Sequence, residues 1–381
     1  MDFAGRLARL RERAEAAAID LVYLTLGANL FYLSGIRRRF EHGTDHNAYG
    51  DWACGAFVDR RGGLTILAPR MGGGFIQGEA ADKPWIRDVR FIQEAEKPAD
   101  VLAETLAGFG PLRRIALDDR AWAQHVLALR GIPLEAELTL ASSLIAPMRA
   151  IKDDDELAAM RRASEMADLV FARTLPLLKV GVTEFEVARE VDFQFQLAGA
   201  EFTSFQTGVT FTGSRGPDAG TTRPGQRRLQ PGDSITFDFG CVLDGYCSDF
   251  GRSAFAGEPA AEYRTVHATV LAAQSEAMKA MRAGRCTGAQ ANAIARQVIA
   301  DAGYEAGFNH RLGHGIGVTV HEPPWLDVVE TGVLQERMCF TVEPSVGFPG
   351  RLANRVEDVV LVTKEGGISL NQASHDLVIV G

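Results

Sequence analysis

The chain has 381 residues, 46% apolar and 23% charged, and a formal net charge of −9. Its length exceeds what one hydrophobic core usually supports, so two domains are expected, with the composition of a water-soluble globular protein. The acidic balance excludes nucleic acid and anionic membranes as non-specific partners, and no apolar run is long enough to span a bilayer.

Met1 to Ala18 scatters Arg6, Arg9, Arg11 and Arg13 among Leu7, Leu10 and Ala14 at helical spacing. That pattern predicts an amphipathic helix and not a signal peptide. Strand-like runs follow at Asp20–Thr25, Cys54–Val58, Leu64–Leu67, Val89–Ile92 and Ile115–Leu117, with helical stretches at Asp100–Ala107 and Ala121–Leu129. They predict an α/β domain over residues 1–147. Arg37 to Trp52 is polar and rich in His, Asp and Asn, as a long loop would be. Cys54, Cys241, Cys247, Cys286 and Cys339 are odd in number and dispersed, the usage of reduced thiols in a cytoplasmic protein.

A boundary is expected near Pro147, opening a second domain over 148–381. A long charged helix from Asp153 to about Leu177 begins at an Asp-rich turn. A second runs from Thr183 to about Leu197, with Thr183 and Glu186 spaced as a capping box. Strands and glycine turns follow at Gly208–Thr212, Ser234–Gly240 and Asp244–Ser248. Helices over Glu262–Arg282 and Gly288–Ala302 then lead to a strand-rich block, Gly313 to Ile379. Helix–helix–sheet twice in succession hints at an internal duplication.

Five residues in this second domain stand out. Asp238 lies in the apolar run Ser234–Gly240, where an unpaired carboxylate is costly, and Asp249 returns after a hairpin-length turn. Taken alone, this pair fits a hydrogen-bond network or a cation. His314 sits between Gly313 and Gly315, on backbone able to approach other strands closely. Glu343 and Glu357 border apolar strands, and each is also a candidate partner for Arg355. Four crowded carboxylates would repel one another by roughly 4 kcal/mol per close pair, and two divalent cations would cancel their charge. Carboxylate and imidazole donors without thiolate suit Mn²⁺, Co²⁺, Zn²⁺ or Fe²⁺.

Some signals lead nowhere. Asp238-Phe-Gly240 lacks the glycine loop of a kinase, Arg70-Met-Gly-Gly-Gly74 lacks the Lys-Ser/Thr of a phosphate loop, and His321-Glu322 lacks a second zincin histidine.

Asp238–Gly240 with Asp249, Gly313–Gly317 followed by His321-Glu-Pro, Thr341–Pro344 and Arg355–Asp358 together resemble the pita-bread metallopeptidase family, which includes methionine aminopeptidase, aminopeptidase P, prolidase and creatinase. The resemblance covers nearly the whole chain. The N-terminal domain, the junction Leu144–Lys152 and Arg355 before Glu357 are similar to the creatinase, aminopeptidase P and prolidase branch. It implies a creatinase-like α/β domain followed by a pita-bread domain with pseudo-twofold symmetry. It also implies two divalent metal ions, Mn²⁺ foremost, with Asp238 chelating one, Asp249 and Glu357 bridging, and His314 and Glu343 on the second.

By the same resemblance, Glu343 and His321 are the catalytic residues, and His310, His321 and Arg355 contact substrate. The activity implied is that of an Xaa-Pro dipeptidase or aminopeptidase, working as a homodimer in the cytoplasm. In that branch the N-terminal domain closes over the neighbouring site, a task for which Arg37–Trp52 is the candidate. A creatinase-like or ectoine-hydrolase-like enzyme, a lyase, or a silent binding protein are the alternatives. Two departures bear on them. No histidine lies between Ala200 and Asp238, Thr221 or Thr222 falling where the family has one, and Gly251 stands where threonine is usual.

Overall fold

A computed structural model of the chain describes residues 1–37, 49–60, 63–132, 135–213 and 223–381. Most of the polar segment Arg37–Trp52, and both Thr221 and Thr222, lie outside the described residues. The chain divides into two compact units, Met1–Arg149 and Ala150–Gly381.

The first unit is built on one mixed six-stranded sheet. Its strands run, in spatial order, Ile86–Ile92, Leu64–Pro69, Gly55–Asp59, Leu21–Leu24, Arg114–Leu117 and Glu137–Leu140. Leu21–Leu24, Gly55–Asp59 and Leu64–Pro69 are buried along their whole length, as strands covered on both faces must be. On one face Tyr23, Phe57, Leu67 and Ile115 pack with Val101, Leu102 and Leu106 of the helix Pro98–Ala107 and Leu129 of the helix Ala123–Gly131.

Every strand expected from apolar runs in this unit is present, with ends shifted by at most three residues. The helices Ala28–Ser34, Arg70–Ala80 and Ser142–Ala150 and the edge strand Glu137–Leu140 have no strong local signal. Arg70–Ala80 hides its helix behind a kink, since Met71 and Gly72 leave helical geometry. Pro147 lies inside the helix Ser142–Ala150, whose last residue opens the second unit.

The second unit repeats one arrangement twice. Helices Asp154–Thr174 and Glu184–Ala198 cover a sheet of Val378–Val380, Phe250–Ala256, Ser234–Phe239 and Gly208–Thr212. The core between them holds Val170, Phe171, Val191 and Phe195 against Phe211, Phe237, Phe239 and Phe250. Helices Ala261–Ala280 and Gly288–Asp301 accompany a sheet of Glu322–Leu326, Gly313–Gly315, Cys339–Val342, Asp358–Val362 and Gly367–Ser369. There Val266, Val270, Ala291 and Ala295 share a core with Phe340, Val342 and Val360. This is the expected pita-bread architecture.

Local signals set the helix starts. Thr183 accepts from the Glu186 backbone and Glu186 bonds back to Thr183, and Thr287 with Gln290 closes a second box. Asp153 and Glu156 make a third. The expected strand Asp244–Ser248 is instead a tight turn, with Asp244 and Gly245 both at positive φ, leading into Tyr246–Cys247. No helix among the described residues is long and apolar enough to cross a membrane.

Candidate metal centre

Strand alternation aims Asp238. In Ser234–Phe239, Ile235, Phe237 and Phe239 enter the helix-covered core, so Thr236 and Asp238 face the other way. Asp238 is flanked in register by Gly208 on one neighbouring strand and Gly251 on the other. A β-carbon at Gly251 would stand 2.6 Å from Glu357 Oε2 and 2.8 Å from Arg355 Cδ. The departure at Gly251 thus has a steric counterpart here: the space of a side chain is already filled by Glu357 and Arg355.

Glu357 reaches this point through an isolated backbone bridge, its N–H donating to the Gly251 carbonyl at 2.9 Å. Below it Arg252 Nη1 donates to the carbonyls of Gly251 and Glu357 at 2.8 and 2.7 Å, and Nη2 to buried Asp358 at 2.7 Å. Burial alone would raise the Asp358 carboxyl, but Arg252 and His375 outweigh it and hold it below the usual carboxylate range.

The glycines around His314 allow close strand contact. A β-carbon at Gly313 would stand 1.9 Å from the Thr341 carbonyl oxygen, and one at Gly315 2.4 Å from that of Glu322. His314 takes its place between those strands, its N–H donating to Thr341 Oγ1 at 3.1 Å while Thr341 donates to Glu343 Oε1 at 3.1 Å.

Asp238, Asp249 and Glu357 each bring a carboxylate oxygen within 4.8 Å of the other two. His314 Nε2 lies 3.5 Å from Asp249 Oδ2 and 3.4 Å from Glu343 Oε1. All five expected ligand residues therefore converge. Arg355 lies among them, paired with Asp238, with Glu343 at 3.1 Å and with Glu357 at 3.5 Å. Both glutamates meet Arg355, so the ion-pair reading and the cluster reading hold together.

The electrostatics show a crowded anionic site. Burial, then the neighbouring Asp238 and Glu343, push the Asp249 carboxyl well up, and burial with Asp249 and Glu343 does the same to Glu357. Burial lifts Glu343 to about 7 against the opposing pull of Arg355. Burial, then the His321 charge, lowers His314 to about 3.

A cation fits these donors. His314 Nδ1 sits 3.1 Å from the Gly315 carbonyl oxygen, which can only accept. The neutral ring therefore carries its proton on Nδ1 and points a lone pair from Nε2 at two carboxylate oxygens. Asp249 Oδ1 is buried with no hydrogen-bond partner. Lone pairs facing lone pairs are unfavourable until a positive ion stands between them.

His321 is exposed, its ring 4.1 Å from that of His314 and nearly perpendicular to it. His310 stands one step away, bonded through Nε2 to Ser345 Oγ at 2.6 Å. Sequence reasoning missed Thr341, Arg252 and Ser345. Each adjoins or nearly adjoins a named residue, but its distant partner lies 27 to 106 positions away, beyond local pattern.

Residues 158–364 match the family described as metallopeptidase family M24, and residues 6–151 match the creatinase/prolidase N-terminal domain. A probable dipeptidase PepE of Mycobacterium tuberculosis is 31% identical over 99% of this chain and 96% of its own. An Xaa-Pro dipeptidase of Lactobacillus delbrueckii is 33% identical over 79% of this chain and 82% of its own. The crystal structure of a prolidase from Thermococcus sibiricus superposes with a TM-score of 0.88 at 28% identity, covering 100% of both chains.

Proposed function

Since the chain belongs to metallopeptidase family M24, we propose that it is a dinuclear-metal Xaa-Pro dipeptidase or aminopeptidase, cleaving the bond before proline in dipeptides or short peptides. The observation that carries this reading is the convergence of Asp238, Asp249, His314, Glu343 and Glu357 with unsatisfied acceptors facing one another. The names of the similar Lactobacillus and Thermococcus proteins supply the proline preference.

In this reading Asp238 would hold one ion, His314 and Glu343 would hold the second, and Asp249 and Glu357 would be shared between them. Two divalent ions there, Mn²⁺ foremost, supply Lewis acidity and a water made nucleophilic near neutral pH. Glu343 takes the proton of the attacking water and returns it to the leaving amine. His321 donates a hydrogen bond to the carbonyl oxygen as charge develops on it. Arg355 pairs with Asp238, Glu343 and Glu357 and orients them, and its exposed edge, about 19% of the side chain, is open to a substrate group. His310 lines the substrate side. The protein acts as a homodimer in the cytoplasm, without nucleic-acid or membrane partners.

Gly251, and the absence of histidine between Ala200 and Asp238, favour a second reading, a creatinase-like or ectoine-hydrolase-like enzyme on a small non-peptide C–N bond. One assay separates them. Protein loaded with Mn²⁺, Co²⁺ or Zn²⁺ is offered Xaa-Pro dipeptides, longer Xaa-Pro peptides and creatine-like amides. Cleavage of Xaa-Pro bonds, abolished by chelation, is expected. Cleavage of none of them would remove the leading substrate while leaving the metal centre standing. Light scattering of the purified protein at the dimer mass is expected alongside.

A further inference from the structure

Ser345, to which the hydrolysis above gives no role, forms a hydrogen-bonded pair with His310 beside the carboxylates. His310 Nδ1 lies 2.7 Å from the Arg311 carbonyl oxygen, and Nε2 lies 2.6 Å from Ser345 Oγ. A carbonyl accepts only, so Nδ1 bears the proton, and a neutral imidazole has no other. Nε2 is therefore an acceptor, and the Ser345 hydroxyl must donate to it. Burial, then the Arg355 cation, hold His310 down at about 4, which keeps the ring neutral at ordinary pH. The ring is also held in place. Arg296 donates to the carbonyls of Phe308 and His310, and the Phe308 ring meets His310 edge-on at 5.0 Å.

The direction of that bond matters because of where Ser345 stands. In the hairpin of Ser345–Phe348 with Leu352–Arg355, Ser345 is the register partner of Arg355. Directly opposed residues project side chains from the same face of a ladder. The Arg355 side chain leads to Asp238, Glu343 and Glu357, so Ser345 Oγ shares the face that carries the cluster. Among the described residues its only hydrogen-bond partner is His310. With its proton committed, the hydroxyl presents lone pairs alone toward that face.

We propose that Ser345 is a substrate-positioning residue that accepts a hydrogen bond from an N–H of the bound peptide, its polarity fixed by the relay through His310 to the Arg311 carbonyl. The proposal rests on the hydrolase reading above and adds to it a residue and a preference. A donor group is welcomed at this point, and a substrate carboxylate or carbonyl oxygen is turned away. The N–H is either the α-ammonium, which every Xaa-Pro dipeptide carries, or the amide of a residue following proline, which only longer peptides carry.

The test compares wild type with Ser345→Ala and Ser345→Thr, all metal-loaded, on an Xaa-Pro dipeptide and an Xaa-Pro-Yaa tripeptide. Ser345→Ala is expected to raise KM about tenfold with kcat within about twofold, and Ser345→Thr, which keeps the hydroxyl, to restore it. A rise on both peptides identifies the ammonium, and a rise on the tripeptide alone identifies the amide. Nitrogen-15 spectra of labelled histidine are expected to place the His310 proton on Nδ1, with the Nε2 resonance moving in Ser345→Ala. Unchanged KM on both peptides, or a proton on Nε2, overturns the proposal. Should the wild type cleave neither peptide, calorimetric titration with the same peptides separates the two ideas. Binding about tenfold tighter to wild type than to Ser345→Ala keeps the acceptor role while the hydrolase reading falls, and equal or absent binding removes both.

Discussion

Gly251 packs against Glu357 so tightly that a β-carbon on Gly251 would stand 2.6 Å from Glu357 Oε2 and 2.9 Å from Glu357 Cβ. Gly251→Ala must therefore push Glu357 or Arg355 out of the cluster. The expected cost is about 1–3 kcal/mol of stability, typical of overpacking a filled site. Metal retained after dialysis should fall as well. Urea unfolding and elemental analysis measure the two effects, and an alanine variant that keeps both would show that the cluster yields easily.

Arg252 and Asp358 make a buried ion pair directly behind Glu357, at 2.7 Å with side chains 4% and 0% exposed. Arg252→Met leaves Asp358 to Gln274 and His375 alone. Breaking such a pair costs about 3–5 kcal/mol, whereas replacing both partners costs far less. Arg252→Met combined with Asp358→Leu is thus expected to be more stable than Arg252→Met. Equal stability of the single and double variants in denaturant would mean that the pair carries little of the load.

Glu343 titrates at about 7 in the fold, raised by burial from an ordinary value near 4.5. A carboxyl raised in this way favours the folded state below its unfolded value, and that contribution is lost as pH rises through 7. The loss amounts to about 3 kcal/mol between pH 4.5 and 8. With chelator present, wild type should lose stability over this window, and Glu343→Gln should lose correspondingly less. Parallel pH profiles for the two proteins would contradict the assignment.

His321 meets the ring of His314 at 4.1 Å and is itself exposed. If it serves the carbonyl oxygen and not the ions, His321→Ala should lower kcat by about 10²–10³-fold with metal content unchanged. Loss of metal in step with activity would move His321 from substrate to ligand.

Much of this site is legible in the sequence wherever the signal is local. Thr183 with Glu186 announces a helix start, and the alternation of Ile235, Phe237 and Phe239 turns Asp238 away from the core. Gly313 and Gly315 mark the tight passage that carries His314. What stays hidden depends on register between distant strands. Nothing near Ser345 announces His310, 35 positions earlier, or Arg355 across the hairpin. The packing of Gly251 against Glu357 spans 106 positions and follows only from the pairing of two sheets.

The bridge between Gly251 and Glu357 also has a bearing on synthesis. Asp238 and Asp249 belong to the first repeat of the second unit, and His314, Glu343 and Glu357 to the second. A chain emerging from the ribosome holds two of the five donors for more than sixty residues, and acquires the last, Glu357, only 43 residues after His314. Ion capture is thus deferred until both repeats have closed on one another. A truncated or half-folded product is left with an incomplete set of donors.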